Sequence, residues 1–88
     1  MVKQAAICII DGDTFDIDRN VRIRLARVKA PPVNTPEGQI AKIMLSSLVL
    51  ANAITYKPVA ADTYGRTVAE VWIDSANVND LMIFYGYR

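Results

Sequence analysis

Two short stretches of this sequence put charged groups beside a glycine-bearing turn: Ile10-Asp11-Gly12-Asp13-Thr14-Phe15 and Asp62-Thr63-Tyr64-Gly65-Arg66. The first supplies two carboxylates at alternate positions, Asp11 and Asp13, which a strand directs to one side of a sheet. Taken alone, Asp-Gly-Asp is what a tight turn uses, its carboxylates capping nearby amides. The second stretch supplies Arg66, a planar fork of five donors suited to phosphate. Between them, Val21-Arg22-Ile23-Arg24-Leu25 alternates so that Arg22 and Arg24 share one strand face. For Arg22 the ordinary alternative is a solvated stripe. For Arg66 it is a structural pair with a carboxylate such as Glu70.

These residues need a scaffold, and the chain is short. At 88 residues it reads as a single domain, residues 1–88, which buries only about 60 to 65% of its unfolded surface. The apolar fraction of 52% is generous for that size and suggests apolar surface covered by another chain. Ten basic and nine acidic residues give a formal charge of +1, so no global field draws the chain to a polyanion and any phosphate contact is local. There is no histidine for a zinc site or a neutral-pH proton shuttle, and Cys8 stands alone, which excludes an intrachain disulfide and reads as a buried thiol. No run is long enough to span a bilayer, and the apolar run from Ala5 to Ile10 is too short for a signal-peptide core. No membrane partner is expected. A cytoplasmic location is favoured, with a secreted protein whose leader has been removed as the alternative.

Residues 3–10 read as a first strand, ended by the Asp11-Gly12-Asp13 turn. Thr14 to Asp18 and Val21 to Val28 alternate across the turn residues Asp18-Arg19-Asn20, which predicts an antiparallel hairpin. Ala30-Pro31-Pro32-Val33-Asn34 cannot continue a strand. Thr35-Pro36-Glu37 then opens a helix with an N-cap, a proline at its first position and an acid in its first turn, running to about Ala53. Ala41, Met44, Leu45 and Leu48 form its core stripe, while Ile43 and Leu50 fall on the opposite face, where a solvated helix carries charge. Ile54 to Val59, interrupted by Pro58, and Thr67 to Asp74 read as two more strands, followed by a short helix from Asn77. The expected fold is α+β, mainly β: a five-stranded OB-fold barrel with a helix between strands 3 and 4 and a short C-terminal helix.

The two charged stretches, in this order and with Arg24 in Arg-Leu-Ala-Arg-Val between them, resemble the staphylococcal nuclease (thermonuclease) domain, from about Ala6 to Gly86. The resemblance implies a calcium ion held by the second aspartate of Asp-Gly-Asp-Thr, here Asp13, with Asp11 as nearby support. A further aspartate after the third strand and a backbone carbonyl just beyond it complete the implied set. The resemblance also implies that Arg24 and Arg66 grip phosphate, with Tyr64 and Arg22 beside them as substrate-binding residues. The implied chemistry is metal-assisted phosphodiester hydrolysis, in which the ion and two guanidiniums neutralise charge gathering on phosphorus. A glutamate then orients or deprotonates the attacking water.

The resemblance breaks at that glutamate. Where the family reads Val-Asp-x-Pro-Glu, this chain reads Val28-Lys29-Ala30-Pro31-Pro32, so the second metal aspartate has become Lys29 and the glutamate Pro32. At ~4 Å and an effective dielectric of ~20, a unit charge interacts by about 4 kcal/mol, so exchanging an anion for a cation works twice against calcium and leaves its binding weak. Two placements are open for Lys29: its ammonium borders the ion position and pairs with Asp13, or it swings into water. Val33-Asn34-Thr35-Pro36-Glu37 offers a second register, with a five-residue insertion, in which Glu37 is the substitute base. Its ordinary purpose is to complement the helix dipole.

Three functions are therefore expected. The preferred one is a nuclease-like barrel that binds nucleic acid or nucleotide phosphate through two arginines, with hydrolysis weak or lost. A second is an active calcium-dependent nuclease using Glu37. A third is a homodimer or protein-interaction module meeting its partner through Ile43, Leu50 and Phe84.

Overall fold

The computed structural model describes residues 3–18 and 20–88; Arg19, in the expected hairpin turn, lies outside the described residues. The elements in chain order are β1 (Cys8–Asp11), β2 (Thr14–Asp18), β3 (Val21–Leu25), α1 (Pro36–Val49), β4 (Thr55–Ala61), β5 (Thr67–Ile73), β6 (Ala76–Asn77) and α2 (Val78–Phe84). The sheet runs β1-β2-β3-β5-β4, with β6 added to β5. This is the mainly β OB-fold, with α1 between the third and fourth strands.

Register decides which side chains meet. The β2–β3 hairpin sets Thr14 opposite Arg24, Phe15 opposite Ile23 and Asp16 opposite Arg22, and β5 runs parallel to β3 with Val68 beside Arg24 and Ala69 beside Leu25. By the two-residue alternation, Phe15, Ile17, Ile23, Leu25, Ala69 and Val71 turn inward and are buried. Thr14, Asp16, Arg22 and Arg24 therefore share the outer face.

The expected five-stranded barrel is not closed: β1 and β4 are the two edges of the sheet, and β6 adds a sixth strand. Among the described residues the gap is spanned by an isolated bridge between Gln4, ahead of β1, and Ile54, just before β4, whose two backbone hydrogen bonds are both 2.7 Å. Pro58 lacks a donor, and the β4 register shifts between Pro58 and Ala60. β3 stops at Leu25, short of the expected Val28, because Arg27 takes a φ of 66° that no ladder accommodates. α1 ends at Val49 and not near Ala53: the Leu50 N–H caps Ser46, and the Asn52 amide donates to the Leu48 carbonyl.

α1 begins where its cap residues dictate. The Thr35 hydroxyl accepts the Gly38 N–H at 3.0 Å, with Pro36 and Glu37 in the first turn. Gly38, Ala41, Leu45 and Val49 are buried, and Met44 and Leu48 pack at the margin of the core. The outer face exposes Ile40, Ile43 and Leu50 at 56, 66 and 53%, which leaves its apolar stripe facing solvent. Phe84, at the end of α2, is likewise exposed.

α2 is tied down by one polar side chain. Asn79, fully buried, accepts the Val71 N–H at 2.9 Å and donates to the carbonyls of Ala26 (2.8 Å) and Ala69 (3.0 Å). All its strong hydrogen-bonding capacity is met inside the core, so it joins β5, the turn after β3 and α2 without an orphaned group. Cys8, expected buried, is exposed, because it alternates with inward Ile9 and sits opposite Asp16. Among the described residues, no helix is long and apolar enough to cross a membrane.

Candidate functional site

The turn between β1 and β2 is built to present Asp13. Its N–H donates to the Asp11 carboxylate at 3.0 Å, which closes an Asx-type turn. Gly12 lets this turn lie against α1: a Cβ there would stand 2.5 Å from the Ala41 Cβ and 2.7 Å from the Ala30 Cβ. The Thr14 hydroxyl donates to Asp13 Oδ1 at 2.9 Å, and Oδ2 accepts the Ala30 N–H at 3.3 Å and Arg24 Nη2 at 3.5 Å.

The two carboxylates consequently differ. Burial pushes Asp11 above the usual carboxylate range, and a side-chain hydrogen bond with Asp13 and the repulsion of its charge push the same way, against the Asp13 N–H, which lowers it. Burial would also raise Asp13, but hydrogen bonds shared with Asp11, Thr14 and Ala30, together with the Arg24 charge, outweigh it and hold Asp13 below that range.

Arg24 is committed largely to the chain itself. Nη1 donates to the Leu25 carbonyl at 2.7 Å, and Nη2 donates to the Val28 carbonyl at 2.9 Å besides reaching Asp13. Arg66 is held differently. Its backbone N–H and that of Tyr64 both donate to Asp62 Oδ1 at 2.9 Å, while its Nε forms a short ion pair with Asp62 Oδ2. Burial opposes ionisation of Asp62, but the Arg66 backbone and side-chain hydrogen bonds and the Tyr64 N–H prevail and lower its pKa. The guanidinium carbon lies 5.4 Å from the centre of the Tyr64 ring, within cation–π range. Nη1 reaches Thr14 Oγ1 at 3.5 Å.

A continuous polar chain therefore runs Arg66, Thr14, Asp13, Arg24. At its edge Arg22 grips Asp16 through two bonds of 2.8 and 3.2 Å. Arg22, Tyr64, Gly65 and Arg66 line an open depression of about 430 Å³. Arg66 commits its Nε and one Nη1 donor to the contacts described, so three of the five guanidinium donors remain for a ligand.

Other expected positions fall elsewhere. Lys29 does not pair with Asp13; its side chain is exposed, its N–H donates to the Tyr87 carbonyl at 3.2 Å, and the cation on Asp13 is Arg24. Glu37 is exposed in the first turn of α1. With Lys29, Pro31, Pro32 and Tyr87 it lines a larger depression of about 630 Å³, whose lining shares no residue with the arginine-lined one. Glu70, the example of a structural partner in the alternative reading of Arg66, instead takes two bonds from Arg27, at 2.7 and 3.1 Å; Arg27 also reaches Asp80 at 3.0 Å, and the carboxylate paired with Arg66 is Asp62.

The donor set does not suit calcium, which takes six to eight oxygens with several carboxylates among them. Asp13 Oδ2 already receives a guanidinium and an amide, Asp11 is bonded to the Asp13 N–H, and Lys29 stands at the expected loop-ligand position. Among the described residues no three carboxylate, cysteine or histidine side chains cluster to hold a metal.

Residue reading from sequence missed Thr14, which joins Arg66 to Asp13, and Asp62 and Asp16, which orient Arg66 and Arg22. The i,i+4 spacing of Asp62 and Arg66 was a usable signal, as was the position of Asp16 across the hairpin from Arg22. The Ala30 amide and the Leu25 and Val28 carbonyls are backbone groups and carry none.

A family model described as staphylococcal nuclease homologue matches residues 22–88. An uncharacterized endonuclease of Escherichia coli O157:H7 is 34% identical over 82 residues, covering 89% of this chain and 54% of its own length. Protein ParB of Escherichia coli is 32% identical over 97 residues, covering 97% and 55%. A micrococcal nuclease of Shigella flexneri is 30% identical over 90 residues, covering 89% and 52%. The chain spans about half the length of these curated relatives.

Proposed function

This chain belongs to the staphylococcal nuclease family, and from that premise we propose that it binds backbone phosphates of a polynucleotide through Arg24 and Arg66, with phosphodiester hydrolysis weak or lost. The observation that carries the proposal is the depression lined by Arg22, Tyr64, Gly65 and Arg66, next to the Thr14–Asp13–Arg24 chain. Asp62 fixes the Arg66 fork before a ligand arrives, so less rotamer entropy is lost on binding. Tyr64 is 83% exposed and offers a ring on which a base stacks, an interaction worth about 1–3 kcal/mol. The formal charge of only +1 means that affinity comes from these few contacts.

The weakness in hydrolysis follows from what stands around Asp13. Pro32 has no proton-accepting atom in its side chain, and Glu37 lines the other depression. The residues at the site bind and orient phosphate, but none is placed to activate water against it.

Fluorescence anisotropy with a labelled oligonucleotide tests the reading. Arg66→Ala should weaken binding about tenfold and reduce the salt slope by about one. Tyr64→Ala should weaken it with little change in slope. No binding at low salt, or an Arg66→Ala protein that binds like the parent, would contradict the proposal.

A further inference from the structure

We infer that the Arg24 guanidinium takes the electrostatic place of a divalent cation in this chain, so that the site is built, and presents positive charge to phosphate, without a metal. The disagreement between the donor set and calcium leads to this assignment. Asp13 is only 8% exposed, and a carboxylate so placed needs a counter-charge and hydrogen bonds. Arg24 supplies the charge. The same planar fork spans three oxygens: Asp13 Oδ2 at 3.5 Å, the Leu25 carbonyl at 2.7 Å and the Val28 carbonyl at 2.9 Å.

That cradle, one carboxylate and two carbonyl dipoles, supplies three oxygens, so a hard cation would reach six only by adding waters or Asp11, and only once the guanidinium has left. The cradle exists because the hairpin register puts Arg24 across from Thr14, next to Asp13. The bond to Val28 also bridges the turn at Arg27, whose φ of 66° reverses the chain so that the Ala30 N–H reaches Asp13. With Arg24 seated, the charge of Asp13 is neutralised, and exposed Lys29 adds a further positive charge to the loop. A divalent ion approaching this cradle meets no net attraction.

The test is calcium titration of the full chain, with thermal unfolding and backbone amide NMR as readouts. The unmodified protein should keep its melting midpoint within about 1 °C between chelator and millimolar calcium, since an ion that does not bind the folded state cannot stabilise it. Its Asp13 and Ala30 amide signals should not move. Arg24→Gln should melt lower and regain part of the loss in calcium, and adding Asp13→Asn should abolish that regain. An unmodified midpoint that climbs several degrees with calcium, an Arg24→Gln midpoint equal to the parent's, or a drop that calcium does not relieve would each overturn the inference. If Arg24→Gln does not fold, the unmodified titration decides alone.

The part concerning phosphate rests on the reading proposed above, and an oligonucleotide separates the two. Equal binding in chelator and in calcium supports both. Binding only in calcium overturns this inference and leaves phosphate binding standing. No binding in either overturns the phosphate reading, and the melts still decide the place of Arg24.

Discussion

Asp62 does for Arg66 what Asp16 does for Arg22: each holds a guanidinium in one orientation while leaving donors for a ligand. Such pairs are partly exposed and contribute little to stability individually, so their value lies in orientation. Asp62, with two other carboxylates, leaves a signature in acid. Asp13, Asp62 and Glu70 all have pKa values lowered in the folded protein, for Glu70 chiefly through its hydrogen bonds from Arg27. A lowered folded pKa means that the unfolded chain binds the proton more tightly, so the stabilisation present above the ordinary carboxylate values is lost as pH falls through the folded ones. Asp11, raised by burial, works in the opposite sense, favouring the fold at low pH and losing that contribution as pH rises. Three groups against one predict that urea-unfolding free energy falls from about pH 5 to about pH 3, less steeply for Glu70→Gln. A flat profile, or an unaltered slope in Glu70→Gln, would contradict this. At this scale the sequence showed which side chains carry charge. It did not show that Arg24 turns back onto carbonyls, because a carbonyl is present at every residue and leaves no mark in the sequence.

Elements were legible where side chains dictate backbone directly. Thr35-Pro36-Glu37 started α1, and the alternation from Val21 to Leu25 gave β3 its faces. Ends were less legible, since the positive φ of Arg27 and the capping of α1 at Leu50 depend on contacts distant in sequence or on local competition for carbonyls. The joint between the 30–34 loop and α1 is the clearest case. A Cβ on Gly38 would stand 1.8 Å from the Pro32 carbonyl oxygen and 2.5 Å from its carbon. The clash is with backbone and cannot be relieved by a rotamer. Gly38→Ala therefore should cost about 1–3 kcal/mol of overpacking, more than the roughly 1 kcal/mol of helix propensity it gains. Gly65→Ala, with φ of 79° and open space around its Cβ, bears only the left-handed backbone cost of about 1–2 kcal/mol. Chemical denaturation of the pair should show Gly38→Ala losing stability and altering the Ala30 and Asp13 amide signals, with Gly65→Ala leaving those signals in place. An Ala at 38 that stabilises the protein would refute the packing account.

Across the whole molecule, an OB-fold coils β1, β2, β3 and β5 so that one outer face gathers Arg22, Arg24 and Arg66 around Thr14, while the inner face buries Phe15, Ile23, Leu25 and Val71. Fold and arginine constellation are coupled in this chain because the hairpin register that buries Phe15 against Ile23 also brings Arg24 to Asp13. The Val28 to Pro32 loop meets the constellation through backbone groups, the Val28 carbonyl and the Ala30 N–H, so the exposed Lys29 and Pro32 side chains take no part in holding the sheet. Under the proposed function, binding and cleavage are separable in this chain. Incubating the unmodified protein with a labelled single-stranded oligonucleotide, in calcium and in chelator, reads both at once: anisotropy reports binding and a denaturing gel reports strand integrity. The prediction is the same affinity in both buffers and an intact strand in both. Calcium-dependent binding accompanied by strand cleavage would contradict it.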